Sequence, residues 1–320
     1  MIYLDMAGRL GNQLFRYSFA RNIQEKCGDE LVIDFSRVYS KGLEKNGWKN
    51  SLKGFNTDTY IEKNNCFKEV FKKFTFTQKI LFIYFKIVSK LLKKNRRLLK
   101  KFQLSMQPIM NKNNLYFLEL GYYNYDYKYL KNNKVKYVCG CFECEKYFND
   151  IKKIIQSEIT PKSSEIHEQE LLRIINNDKN SVCVSVRRGD FVSNPKNKKM
   201  YDVCTIDYYV KSIKFLKSKF NNPTFIMFSD DIQWVKDNIK VPDTVFYYES
   251  GKSSVEEKLK LMSSCNHFII SNSTFSWWAQ FLSANLDKVV ISPIKWYNNG
   301  LDSDLISDDW IKISGDKDEE

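Results

Sequence analysis

The chain has 320 residues, 43% of them hydrophobic and 28% charged, with 12 Gly, 6 Pro and 48 aromatic side chains. That composition suits a globular protein of about two domains and excludes collagenous, disordered and mini-protein classes. The formal net charge of +13 raises the question of an anionic partner, which depends on where the charge lies.

In chain order, the sequence predicts strands at Ile2–Asp5, Leu31–Phe35, Val135–Phe142, Val182–Val186, Thr224–Ser229, Thr244–Tyr248, His267–Ser271 and Lys288–Ser292. Between them, helical periodicity covers Asn12–Lys26, Lys146–Ile159, Ser164–Asn176, Thr205–Phe220, Ile232–Asn238, Ser254–Met262 and Thr274–Asn285. Strands that alternate with helices indicate a mostly parallel α/β architecture. The polar, Pro-containing stretch Thr160–Ser164 is the best boundary, dividing the chain into domains 1–160 and 161–320. At about 51–130 the rhythm lapses into a Lys-, Asn- and aromatic-rich segment, expected to be a helical insertion in the first domain.

The charge is concentrated in that insertion. Residues 61–102 carry thirteen Lys and Arg against Glu62 and Glu69. On one helix over 79–102, Lys79, Lys86, Lys90, Lys93 and Arg97 form a stripe, and Ile80, Tyr84, Ile87, Val88, Leu91 and Leu98 fall on the other side. This is the pattern of an element that meets an anionic membrane. The alternative is a helix that buries its apolar side in its own domain and leaves its lysines in water. No module signature or stacking platform for nucleic acid is present.

The longest apolar run, Ile80–Phe85, is closed by Lys79 and Lys86, far short of the roughly 20 residues that span a bilayer. Asp5 and Arg9 interrupt the N-terminus where a signal peptide needs a continuous apolar stretch. The expectation is a cytoplasmic protein, peripheral at most on the inner membrane face. Eight cysteines are too sparse for a disulfide framework. Cys183 and Cys265 read as core, and Cys139, Cys141 and Cys144 lack the further ligands of a structural zinc, with only His167 and His267 in the chain.

Four strand-to-helix junctions carry candidate chemistry. Gly8-Arg9-Leu10-Gly11-Asn12-Gln13 permits a tight turn whose free N–H groups favour an anion. It is neither a dinucleotide fingerprint nor a nucleotide-hydrolase phosphate loop. Arg187-Arg188-Gly189-Asp190 places cations where a buried strand ends, at the sheet edge used by ligands of open α/β folds. Adjacent arginines on a strand point to opposite faces, so one is expected to clamp a diphosphate while the other pairs with Asp190 or supports the site. Asp230 or Asp231, after Phe228-Ser229, could cap a helix or accept two N–H bonds from guanine. Ser271-Asn272-Ser273-Thr274-Phe275 leads into a helix whose hydroxyls and amides could cradle phosphate.

Taken together, the segments Gly8–Phe15, Arg187–Asp190, Phe228–Asp231 and Asn272–Trp278 resemble the motifs of the α-1,2-fucosyltransferases, inverting GDP-fucose-dependent glycosyltransferases of family 11. Gly140–Phe148 resembles a further family segment, usually an aromatic followed by Gln-Ser-Glu-Lys-Tyr-Phe, and Ile291-Ser292-Pro293 with Trp296 resembles the C-terminal strand and loop. The resemblance spans nearly the whole chain outside about 51–110. It implies two Rossmann-like domains in a GT-B-like fold, with GDP-fucose on the second domain and the acceptor on the first. It also implies inverting transfer to the 2-hydroxyl of a galactoside, on an oligosaccharide or lipid-linked glycan of polysaccharide biosynthesis, without a metal or other cofactor.

On that reading Arg187 or Arg188, with Ser273, Thr274 and the Gly8, Gly11 and Asn12 turn, stabilises the leaving diphosphate. Phe275 joins the donor site, Asp230 and Asp231 read guanine, and Asp190 is the candidate base despite its two cationic neighbours. The family commonly has His where this chain has Ser185. A serine hydroxyl is no base near neutral pH, so Ser185 is expected only to hydrogen-bond at the donor site. The competing readings are another GDP-sugar transferase, a fucosyltransferase of different linkage, and a non-catalytic anion-binding protein that would use the basic helix and tolerate loss of Arg187.

Overall fold

A computed structural model describes residues 1–40, 48–131, 134–163 and 165–315. The chain divides into two compact units, Met1–Ile159 and Thr160–Glu320. Each is built on a parallel sheet, the paired Rossmann-like content of a GT-B-like chain.

The first unit contains β1 (Ile2–Asp5), β2 (Leu31–Asp34), β3 (Tyr60–Glu62), β4 (Leu115–Tyr116) and β5 (Lys136–Val138), in the order β3-β2-β1-β5-β4. Ile2 and Leu4 are fully buried, as the central strand of a sheet covered on both faces requires. From β1 the chain turns at Gly8 into α1 (Leu10–Cys27). That helix stops at Gly28, whose left-handed φ of 68° lets its N–H reach the Gln24 carbonyl at 2.8 Å. A short helix α2 (Ser36–Tyr39) follows β2.

Between β3 and β4 lie α3 (Phe67–Lys72), α4 (Phe76–Leu92) and α5 (Arg96–Lys112), and α6 (Lys152–Glu158) closes the unit. The inserted segment is therefore helical at its centre but contributes an edge strand at each end. Strands of two or three residues are too short to show an alternating pattern. The single helix expected over 79–102 is two helices: α4 ends at Leu92, and Asn95 caps α5 by accepting from the Leu98 N–H at 3.1 Å. Its inward face is corrected too. Gln78, Leu81 and Phe85 are the buried positions of α4, whereas Ile80, Tyr84, Ile87 and Leu91 face solvent. Among the described residues no helix is long and apolar enough to cross a membrane.

The second unit begins with α7 (Gln169–Asn177) and places β6 (Val182–Val186) at the centre of its sheet. After β6 come α8 (Gly189–Ser193), α9 (Pro195–Tyr201) and α10 (Ile206–Lys219), then β7 (Phe225–Ser229), α11 (Ile232–Asn238) and β8 (Phe246–Tyr248). The chain continues through α12 (Val255–Ser264), β9 (His267–Ile269), α13 (Thr274–Leu282), β10 (Val290–Pro293) and β11 (Ile311–Ile313). The strand order is β8-β7-β6-β9-β10-β11, all parallel. The chain winds outward from β6 in one direction and then in the other, so the order reverses between β6 and β9. In open α/β sheets a reversal of this kind is where loops part and ligands bind, at the carboxyl ends of the strands.

All five residues of β6 and all five of β7 are buried. Val182, Val184, Tyr208, Ile213, Phe225, Met227 and Ile269 form one core cluster, each such side chain contributing about 1.5–3 kcal/mol by leaving water. Cys183 and Cys265 are buried as expected. In the first unit, regular strand ends at Val138, and at Phe142 the backbone takes a left-handed φ of 53° that an extended strand does not adopt. Cys139 and Cys141 therefore lie beyond β5, although their N–H groups still pair with the Tyr116 and Leu118 carbonyls at 2.9 Å.

Candidate active site

The second unit's candidate site is built from the junction after β6. Val186 is the last strand residue, so the alternation of side chains that would part Arg187 from Arg188 stops before them. Both arginines engage the next junction along the sheet instead. Arg187 pairs with Asp190 and, through Nη1 at 2.5 Å, with Asp230. Arg188 donates its backbone N–H to Asp230 at 2.8 Å and its Nε to Asp231 at 3.1 Å, and its guanidinium lies 3.6 Å over the Trp234 ring centre. The expectation that only one arginine supports the site by pairing is corrected: both are held, each with about a quarter of its side chain exposed.

Gly189 lets these groups come together. Its φ is +23°, and a Cβ there would stand 2.5 Å from Asp230 Oδ2. Asp231 is also the cap of α11, accepting from the Trp234 N–H at 3.3 Å while its own N–H reaches Ser229 Oγ at 3.0 Å. The sequence had left open which carboxylate caps that helix. Ser185, one residue before the strand end, is buried, and its carbonyl accepts from the Tyr209 hydroxyl at 3.3 Å.

On the neighbouring strand β9, the chain passes through Ser271 and Asn272 to Ser273, which caps α13 by accepting from the Phe275 N–H at 3.3 Å. Ser273, Thr274 and Phe275 are half-buried, whereas Asn272 is buried as a clamp. Its Nδ2 donates to the carbonyls of Tyr201 and Trp296, both at 2.9 Å. Asn272 thus ties the loop after β9 to the end of α9 and to the segment beyond β10. Trp277 and Trp278 are core, with Trp277 Nε1 donating to the Leu305 carbonyl at 3.0 Å.

Arg187, Arg188, Asp190, Asp230 and Asp231 therefore form one charge lattice, and β6 pairs directly with the strand that leads to Ser273, Thr274 and Phe275. Guanidinium forks held by carboxylates and an aromatic face are fixed in orientation, and an anion would meet them by exchange with part of those carboxylate contacts. Glu249, unnoticed in the sequence, is buried at the end of β8 with Lys258 Nζ at 3.0 Å.

Gly8, Gly11 and Asn12 belong to the first unit: Gly8 makes the turn, and Gly11 and Asn12 lie in the first turn of α1. Gly8 has φ +90°, and a Cβ on it would fall 2.7 Å from the Asn12 Cβ. Gln13 fixes this turn from α1: its Nε2 donates to the carbonyls of Gly8 and Lys49, both at 2.8 Å, and its Oε1 accepts from the Ser51 N–H at 3.0 Å.

The sequence reading also missed two charged residues withdrawn from solvent in that unit. Arg16 is buried, its Nη2 lies 3.7 Å from Cys141 Sγ, and its Nε and Nη1 have no hydrogen-bond partner. Half-buried Glu143 lies within its field, and burial raises the Glu143 carboxyl to about 6 against the opposing pull of Arg16 and Arg96. An arginine at a buried position of α1 and a Glu in place of the family's usual Gln were the only sequence signals.

The sequence model described as Glycosyl transferase family 11 matches residues 1–314. The chain belongs to that family. An Alpha-1,2-colitosyltransferase of Escherichia coli is 29% identical over 322 residues, covering 98% of this chain and 99% of that protein. The O-antigen biosynthesis glycosyltransferase WbnK of Escherichia coli is 28% identical over 333 residues, covering 98% and 100%. Galactoside alpha-(1,2)-fucosyltransferase 2 of Rattus norvegicus is 31% identical over 104 residues, covering 32% of this chain and 29% of that protein.

Proposed function

We propose that this glycosyltransferase moves L-fucose from GDP-fucose to the 2-hydroxyl of a galactoside acceptor, with inversion and without a metal ion. The observation that carries the proposal is the pair of carboxylate-held guanidiniums at the switch point of the second sheet. The family match over residues 1–314 supports it. In this reaction the bond from fucose C1 to the diphosphate oxygen breaks, C1 bonds to the acceptor O2, and the O2 proton leaves to a base.

Arg187 and Arg188 take up the charge that develops on GDP, exchanging part of their carboxylate contacts for phosphate oxygens. Ser273, Thr274 and the start of α13 add hydroxyl and amide donors beside them, Phe275 lines the donor site and Ser185 contributes a hydrogen bond. Asp230 and Asp231 supply acceptors for guanine N1–H and N2–H, and Asp190 is the base candidate.

The test is product analysis with GDP-fucose and a panel of β-galactosides, run with and without excess EDTA. Expected are an α-1,2-fucosylated product, undiminished turnover in EDTA, and competition by GDP far stronger than by ADP, which lacks the paired guanine donors. Abolition by EDTA with rescue by manganese would reject the metal-free mechanism, and equal competition by ADP would reject guanine reading. Absence of GDP binding at millimolar concentration would reject the enzyme reading in favour of a non-catalytic anion-binding protein.

The similarity to a colitosyltransferase over nearly the whole chain favours a second reading, in which the transferred sugar is colitose. Activity with a colitosyl nucleotide and none with GDP-fucose would decide for it.

A further inference from the structure

A surface helix ordinarily turns a polar face to water, and α4 does not. With Gln78, Leu81 and Phe85 buried, its outward face holds Phe76, Ile80, Ile83, Tyr84, Ile87 and Leu91. Phe76 is 80% exposed and Leu91 76%, and the other four are about half exposed. Leu98 at the start of α5 extends the patch. The stripe therefore runs the length of a 17-residue helix, about 25 Å at the usual rise. Contiguous exposed apolar surface of this kind marks a docking face.

The charges beside the stripe name the occupant. Lys90, Lys93, Lys94, Arg97 and Lys101 are exposed and form no ion pair among the described residues. No Asp or Glu occurs between Glu69 and Glu119. Lys86 is the exception, leaning back so that its Nζ lies 5.1 Å from the Phe117 ring centre and 3.6 Å from Cys139 Sγ. The face is the convex side of a helix, which fits a plane; a bound peptide wants a groove.

We propose that α4 and the start of α5 form an interfacial anchor that seats this protein on an anionic lipid surface, with Ile83, Ile87 and Leu91 among the acyl chains and the flanking lysines and arginine at the headgroups. Apolar burial and charge then act together, as in amphipathic helices that lie in the interface plane. The surface exists whatever sugar is transferred, so its test is independent of catalysis.

The experiment is co-sedimentation of the whole protein with phosphatidylcholine vesicles, with and without phosphatidylglycerol. Wild type should pellet with the anionic vesicles at low salt, remain in the supernatant with neutral ones, and be released progressively by salt. Ile87→Asp with Leu91→Asp should weaken partitioning by at least about tenfold, and so should the separate set Lys90→Glu, Lys93→Glu, Lys94→Glu and Arg97→Glu. Because these positions are exposed, thermal melts should match wild type; if the aspartate pair unfolds the protein, Ile87→Trp replaces it, with a blue shift of the new fluorescence on anionic vesicles expected. A wild-type protein that stays in the supernatant with both vesicles overturns the proposal. So does a dimer in light scattering that Ile87→Asp converts to monomer without any vesicle binding, which would mean that a second copy covers the stripe.

Discussion

Arg188 lies with its guanidinium 3.6 Å above the Trp234 ring centre. The indole fixes the plane of the guanidinium while Asp231 takes its Nε at 3.1 Å, so the rest of the fork is presented in one orientation. Lysine has neither a planar fork nor a face that stacks in this way. Arg188→Lys should lower kcat/KM for GDP-fucose by about 100-fold, the scale for losing a positioned donor to developing charge. Trp234→Leu should cost about tenfold by freeing that plane. Steady-state kinetics decides the matter, and wild-type turnover in Arg188→Lys would remove the diphosphate role.

The closeness of Gly189 to Asp230 makes a second prediction. An alanine Cβ would meet Asp230 Oδ2 at 2.5 Å, so the carboxylate must move and release both Arg187 and the Arg188 N–H. Gly189→Ala should weaken GDP binding by about tenfold in titration calorimetry, the change that accompanies about 1.4 kcal/mol. Unaltered affinity would show that the lattice does not position the arginines for the ligand.

Asn272 is expected to matter for stability more than for contact with the donor. Removing its amide takes the donor from the buried Trp296 carbonyl, at about 1–3 kcal/mol for an unsatisfied group, whereas the Tyr201 carbonyl keeps the Val203 N–H at 2.8 Å. Asn272→Ala should therefore lose about 1–3 kcal/mol in urea unfolding. Asn272→Asp, which keeps the shape but cannot donate, should lose at least as much.

Glu143 makes stability depend on pH. Its carboxyl is raised to about 6 from an ordinary 4.5, by burial that outweighs the attraction of Arg16 and Arg96. A raised carboxyl is more easily protonated in the folded state, so its contribution is fully present below pH 4.5 and is lost as pH rises through 6. Glu143→Gln keeps the neutral form at every pH. It should match wild type in acid and become more stable by about 1–2 kcal/mol at neutral pH, read as a melting-temperature difference that opens across this window. A constant difference at all pH values would assign the effect to packing.

The sequence by itself determined the βα alternation, because buried parallel strands such as Val182–Val186 are continuous apolar runs bounded by turn and capping residues. It also located the junctions after β6, β7 and β9, since Arg, Asp and Ser at the ends of apolar strands stand out locally. The two- and three-residue edge strands β4 and β3 were hidden, as their pairing depends on neighbours already in place. The Arg187–Asp190 pair was legible in the sequence, but only the tertiary structure brought Asp230 and Asp231 to the arginines, because they come from a different crossover, more than forty residues along the chain. It also decided the role of α4. Apolar residues cover more than half of that helix's circumference, so periodicity could not say which of them face the core; what packs against Leu81 and Phe85 determines it, and leaves Ile80, Ile87 and Leu91 outside.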